Sequence, residues 1–226
     1  MNSTGARVAI VHAHAGTIEP VATAFREVYP EADLWHLVDD RLVKDADEAG
    51  GLTPQLAGRM ASIIGYAVVN GADAVQLACS MYGPVASATD QPVPVCPSDR
   101  ALFDAVAKTR PQRVLVLASL APAAVDSVDR LRADLSAAGI GAQVDGVFVE
   151  GAAAAAAAGD MDTLADLMAG RIVAAGDDVD VVMLAQYSLA PAASRTQAKV
   201  VVPVLSGPQL AASALRHTLH ETETSP

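Results

Sequence analysis

The sequence predicts an α/β protein of two pseudo-symmetric halves, each a parallel sheet covered by helices. Three observations predict it. Short Val-rich runs alternate with longer helical patterns almost from end to end. The runs are nearly uninterrupted by polar residues, as expected of parallel strands covered on both faces. An internal repeat lays the second half of the chain over the first.

Taken in order, the strands fall at residues 7–13, Asp33–Val38, 74–78, Arg113–Ala118, 143–149 and 179–185. The helices fall at 19–28, 54–70, 99–109, 123–138, Met161–Ala175 and 209–219. Gly139 follows Ala137-Ala138 and Gly176 follows Ala174-Ala175, each where a left-handed helix cap belongs. Ala152–Ala158 is an all-alanine run between Gly151 and Gly159. Alanine is the best helix former, so a short, closely packed helix is expected rather than a linker. Residues 221–226 are expected to fray.

The repeat is the most informative feature. Ala72-Asp73-Ala74-Val75-Gln76-Leu77-Ala78-Cys79 lies over Val179-Asp180-Val181-Val182-Met183-Leu184-Ala185-Gln186. Pro84 stands five residues past Cys79, and Pro191 five past Gln186. Pro92-Val93-Pro94-Val95 echoes Val202-Pro203-Val204-Leu205, and Arg7-Val8-Ala9-Ile10-Val11 echoes Arg113-Val114-Leu115-Val116-Leu117. Two Rossmann-like halves follow: residues 1–110, completed by a C-terminal helix at 207–220, and residues 111–206. Ligands in such sheets bind beyond the carboxyl ends of the strands. The expected active-site cleft therefore lies between the halves and collects His12, Thr17, Cys79, Ser80, Ser119, Gln186 and Ser188.

Composition narrows the function. Among 226 residues, 26 are acidic and 15 basic, a net charge of −11 with only 4% aromatics. Scattered basic residues and few aromatic rings leave neither a phosphate-binding surface nor a stacking platform, so nucleic acid is excluded as a partner. No stretch approaches the roughly 20 apolar residues of a membrane span. The N-terminus shows no secretory pattern, and two cysteines do not make a disulfide framework, so a cytoplasmic setting is expected.

Cys79 is the foremost candidate for chemistry. It ends a buried strand and precedes a turn into a helix at Val85, where backbone N–H groups and the helix dipole favour a thiolate. The competing reading is a buried structural cysteine, which is the reading given to Cys96. His12 and His14 share one face of an extended segment. They are read as polar groups of the cleft rather than metal ligands, because no His/Cys/Asp set has zinc spacing. Asp39-Asp40 either holds or orients a substrate or forms a solvated turn. Arg41, Arg59, Arg100 and Arg195 are counter-charges for an anion or surface residues. Gly139-Ile140-Gly141 sits in a helix-to-strand turn and is no dinucleotide fingerprint.

The strand running into Ala78-Cys79-Ser80, in a duplicated α/β chain of this size, resembles the Asp/Glu racemase superfamily. That group includes aspartate, glutamate and hydantoin racemases, maleate isomerase and arylmalonate decarboxylase. Val11-His12-Ala13 with Thr17 and Pro20, residues 37–42, and Leu184-Ala185-Gln186-Tyr187-Ser188 carry the resemblance further. It implies carbon-acid chemistry without a cofactor on a small carboxylate, with a thiol from each half on either side of the reacting carbon. It carries the first thiol onto Cys79 and its hydroxyl neighbour onto Ser80. The first-half substrate loop falls on residues 12–17 and the second-half loop on Ser119. Its members are often dimers, which makes a homodimer the expected assembly.

One departure changes the expectation. The second cysteine's position is Gln186, and an amide neither takes nor delivers a proton near neutral pH. Isomerisation or racemisation then needs a second group, for which His12 or Asp39 is the candidate. Decarboxylation of an activated malonate needs one thiol alone, and a carboxylate-binding protein needs none.

Overall fold

The computed structural model describes residues 5–224. Within them the chain divides into two compact units. One runs up to Arg100 and resumes at Ala211; the other is Ala101–Leu210. The first holds β1 (Arg7–His12), α1 (Ile18–Val28), β2 (Asp33–Val38), α2 (Leu42–Ala49), α3 (Pro54–Val69), β3 (Ala74–Leu77), α4 (Gly83–Ala88) and β4 (Val95–Cys96). Next come α5 (Arg100–Lys108), β5 (Arg113–Ala118), α6 (Ala121–Ala137), β6 (Gln143–Phe148), α7 (Ala152–Ala158), α8 (Met161–Ala175), β7 (Val181–Leu184), α9 (Ala193–Gln197) and β8 (Val204–Leu205). The long α10 (Gly207–Thr224) closes the chain.

Each unit carries a four-stranded parallel sheet of the same order, β2-β1-β3-β4 and β6-β5-β7-β8. The repeat read from sequence is a repeat of register. Val8 pairs with Ala74 in the first sheet as Val114 pairs with Val181 in the second. Val75 pairs with Val95 as Val182 pairs with Val204. Even the ion pairs recur. Arg7 meets Asp33 through Nε and Asp73 through its backbone N–H, while Arg113 meets Asp145 and Asp180 by the same atoms.

Alternation along β5 separates two cores, since successive strand residues face opposite ways. Val114, Val116 and Ala118 pack with α5 and α6, whereas Leu115 and Leu117 pack with α7 and α8. In the first unit Ala9, Val11, Val75 and Leu77 pack against Leu42, Met60, Ile64 and Tyr82. Each fully buried Leu, Ile or Phe contributes about 1.5–3 kcal/mol.

Several expectations change. Strands β2 and β6 are sheet edges, so they are partly exposed rather than covered on both faces. The sequence reading placed residues 101–110 in the first half. The apolar face of α5 (Leu102, Phe103 and Val106) instead belongs to the core of the second sheet. Helix α10 runs on through residues 221–224, where fraying was expected; its last turns carry a His217–Glu221 pair at 3.1 Å. Residues 225 and 226 of that expected tail, and the N-terminal residues 1–4 read for a secretory signal, lie outside the described residues. Helices α2 and α9 were not anticipated, and α4 begins at Gly83 rather than Val85. No helix among the described residues is long and apolar enough to cross a membrane.

Candidate active site

In a sheet of order 2-1-3-4 the chain reverses its direction of winding between the first and third strands. The carboxyl ends of those two strands flank the crevice where ligands bind. In the first unit these ends carry His12 and, two residues past β3, Cys79. In the second they carry Ser119, after β5, and Gln186, two residues past β7.

Cys79 and Gln186 occupy the same local geometry. Each is extended (φ −137°, ψ 121° and φ −132°, ψ 140°) and each precedes a 3₁₀ turn, Ser80–Tyr82 or Tyr187–Ala192. The preceding residue ties back to the first strand in both units, Ala78 N–H to Val11 C=O and Ala185 N–H to Leu117 C=O, each at 2.9 Å. Cys79 is half-buried, its neighbour Ser80 likewise. Its turn is pinned from below by Tyr82, a fully buried phenol that donates to Leu42 C=O at 2.9 Å. Burial, reinforced by the nearby Cys79, pushes the Tyr82 phenol up to about 12. Tyr82 is a supporting residue that sequence reasoning missed. Cys96 lies in β4, and burial pushes its thiol up to about 11, consistent with a packing role.

Gln186 is oriented by Ser119. Its Oε1 accepts from the Ser119 backbone N–H at 2.7 Å and from the Ser119 hydroxyl at 3.0 Å. A backbone N–H can only donate, so the oxygen assignment is fixed and the amide NH₂ is the end left to donate elsewhere. The structure thus brings Ser119 and Gln186 together. Ser188 follows, half-buried, in the 3₁₀ turn.

His12 is 0% exposed, and both its ring nitrogens have partners. Nδ1 lies 2.7 Å from Thr17 Oγ1 and Nε2 lies 2.9 Å from His36 Nδ1. Burial, then the neighbouring His36 and His14, lowers its pKa to about 3. That environment suits a neutral holding group rather than the second acid–base considered for it. Thr17, itself buried, donates to His14 C=O at 3.1 Å and anchors the loop after β1. His14 caps that loop by accepting from Gly16 N–H, and burial lowers its pKa too.

Asp39 is drawn into a charge cluster. Its two oxygens meet Arg59 Nη2 and Nε, both at 2.6 Å, while Arg59 also reaches Asp45 at 2.8 Å. Arg41 pairs with the same Asp45. Asp39, Arg41 and Arg59 line an open groove of about 570 Å³ with Ser62, Ile63 and Tyr66. Asp39 and both arginines are therefore mutually neutralised. Arg195 pairs with Asp162 on the surface, and Arg100 is exposed at the start of α5. Among the described residues, no three His, Cys, Asp or Glu side chains are grouped to hold a metal ion.

Two parallel α/β units of one topology make up a fold that this chain shares with solved racemases, an isomerase and a decarboxylase. Picrophilus torridus aspartate racemase superposes with a TM-score of 0.70 at 13% identity, over 96% of this chain and 95% of that one. Allantoin racemase from Klebsiella pneumoniae gives 0.70 at 14%, over 96% and 89%. Maleate isomerase from Pseudomonas putida S16 gives 0.62 at 18%, over 95% and 93%, and arylmalonate decarboxylase also shares the fold. No protein-family model and no curated protein sequence matches the chain.

Proposed function

We propose that the protein is a cofactor-independent isomerase or racemase-like enzyme acting on a small carboxylate, with Cys79 as its acid–base. The observation that carries this is the equivalence of Cys79 and Gln186 at the two switch points, with Gln186 turned by Ser119 into a fixed donor. In this reading the Cys79 thiolate takes the proton on the carbon next to the carboxylate. The C–H bond breaks, an S–H bond forms, and the electron pair passes into the carboxylate as an enediolate. With His12 and Asp39 otherwise engaged, solvent water protonates the opposite face of the carbon, and the hydroxide left takes the thiol proton, which restores the thiolate. The Ser80 hydroxyl beside Cys79 binds the carboxylate and the charge that develops on it; in the second unit the Gln186 NH₂ and the hydroxyls of Ser119 and Ser188 are the donors of the corresponding preorganised anion site. His12 and Thr17 hold the loop that borders it.

A second reading draws on the same asymmetry. Because the position equivalent to Cys79 holds an amide, a reaction needing only one proton delivery is also served. Decarboxylation of an activated malonate is such a reaction: carbon dioxide leaves and the Cys79 thiol protonates the carbanion.

The test is NMR-detected exchange in D₂O, with wild type and Cys79→Ser incubated with amino acids, hydroxy acids, maleate and substituted malonates. Deuterium entering beside the carboxylate, or isomer formation, in wild type alone supports the first reading. Carboxyl loss in wild type alone supports the second. Turnover equal in both proteins removes Cys79 from catalysis, and ligand binding without turnover leaves a carboxylate-binding protein.

A further inference from the structure

We infer that His36 is a positioning residue of the candidate site: by donating to His12 it fixes the tautomer on which the Thr17 anchor, and so the loop after β1, depends. The inference rests on the reading that this loop borders the substrate.

The argument is a proton count along one chain of contacts. His14 C=O can only accept, so the single hydroxyl proton of Thr17 is spent on it at 3.1 Å. Thr17 Oγ1 must then accept from His12, 2.7 Å away, which puts the proton of a neutral His12 on Nδ1. His12 Nε2 is left as a lone pair. The atom 2.9 Å from it, His36 Nδ1, must therefore carry a proton and donate. The direction is fixed throughout, from His36 to His12 to Thr17 to the His14 carbonyl.

Position in the sheet makes this a relay of orientation. His12 ends β1, where it pairs with Val38, and His36 lies two residues earlier on the neighbouring edge strand, opposite Ile10. The rings pack with centroids 5.1 Å apart and 31° between planes. Without the His36 donor, the buried His12 Nε2 would lack a hydrogen-bond partner. With no donor facing Nε2, a proton there is no worse than a lone pair, and the Thr17 hydroxyl can turn its proton from the His14 carbonyl to Nδ1, which releases the loop anchor. Glu19 is the charged neighbour that His36 feels from α1, and His14 the titratable one that His12 feels from its own loop.

The full chain, ¹⁵N-labelled at histidine, is studied near pH 7.5 by long-range ¹H–¹⁵N imidazole spectra in wild type, His36→Asn and His36→Leu. An Asn amide N–H sits where the imidazole Nδ1–H does, so His36→Asn keeps the donor and His36→Leu removes it. The expected result is a single Nδ1–H tautomer for His12 in wild type and in His36→Asn, and a mixture with the Nε2–H form in His36→Leu. Where a substrate has been found, KM rises roughly tenfold in His36→Leu, the worth of an ordinary hydrogen bond, and is restored by His36→Asn. An Nε2–H tautomer in wild type overturns the inference, as does a His12 spectrum unchanged in His36→Leu. If His36→Leu does not fold, the wild-type and His36→Asn spectra decide. Absence of turnover in wild type counts against the proposed function alone, because the tautomer is read without substrate.

Discussion

Gln186 separates what a residue's type says from what its setting does. The type excludes proton transfer, while Ser119 decides which end of the amide is presented. Gln186→Leu leaves the buried Ser119 N–H without its acceptor and is expected to cost about 1–3 kcal/mol of stability. Gln186→Glu keeps an acceptor for Ser119 but offers a carboxylate in place of the NH₂ donor. Its stability should stay near wild type while carboxylate binding is lost, checked by urea denaturation beside ligand-induced shifts in melting temperature. If both variants bind carboxylates as wild type does, Gln186 has no part in recognition.

At the same scale, His12 predicts a pH dependence. Its folded-state pKa, about 3, lies below the ordinary 6.5, so the unfolded chain takes a proton that the native state refuses. Stability is therefore intact above pH 6.5 and is lost as pH falls toward 3, by at most about 1.4 kcal/mol per pH unit. His14 and His36, shifted the same way, steepen the loss. Denaturant midpoints from pH 7 to 4.5 should fall steeply in wild type and less steeply in His12→Asn. Equal slopes would show that His12 is not held neutral.

Among the elements, those with strong local signals were readable and those fixed by packing were not. Ala152–Ala158 forms α7 with the bracketing Gly151 at φ 82° and Gly159 at φ 71°, left-handed conformations that residues with a Cβ adopt only at a cost. The next helix starts from Asp160, whose Oδ1 accepts from Thr163 N–H at 3.0 Å and Oδ2 from the Thr163 hydroxyl at 2.7 Å. Asp160→Ala should lower stability by about 1 kcal/mol, read as a shifted denaturation midpoint with unchanged cooperativity. The helix α2 carries too few apolar residues to advertise itself. It forms because Leu42 and Ala46 reach the first core and because Arg41, Arg59 and Asp45 pin its first turn. A turn after Cys79 was legible in the sequence, but its 3₁₀ form, shared with the turn after Gln186, depends on contacts that only the folded sheet supplies.

On the scale of the whole molecule, the boundary between units departs from the boundary in sequence. Helix α5 gives Leu102, Phe103 and Val106 to the second sheet, while the chain from Ala211 onward returns to the first unit. There Arg216 bonds Val28 C=O and pairs with Glu31 at 2.6 Å, and Tyr29 packs against His220. Leu215, 1% exposed, is part of that return. Leu215→Ala should destabilise the first unit by about 2–5 kcal/mol. Fluorescence of Trp35, the single tryptophan and a β2 residue, provides the readout. An unshifted Trp35 transition would mean that α10 does not support this unit.

The amino-acid sequence by itself determined the α/β class, the duplication and the pairing of Cys79 with Gln186. Those follow from short-range hydrophobic pattern and from self-comparison, which need no knowledge of who touches whom. Only the tertiary structure decided that His36 is the partner of His12, that Ser119 turns the Gln186 amide, and that α5 packs with the second sheet. Each of these depends on parallel register and cross-strand distance. Residues 24 or 67 positions apart in sequence become hydrogen-bond partners only when the sheets align them.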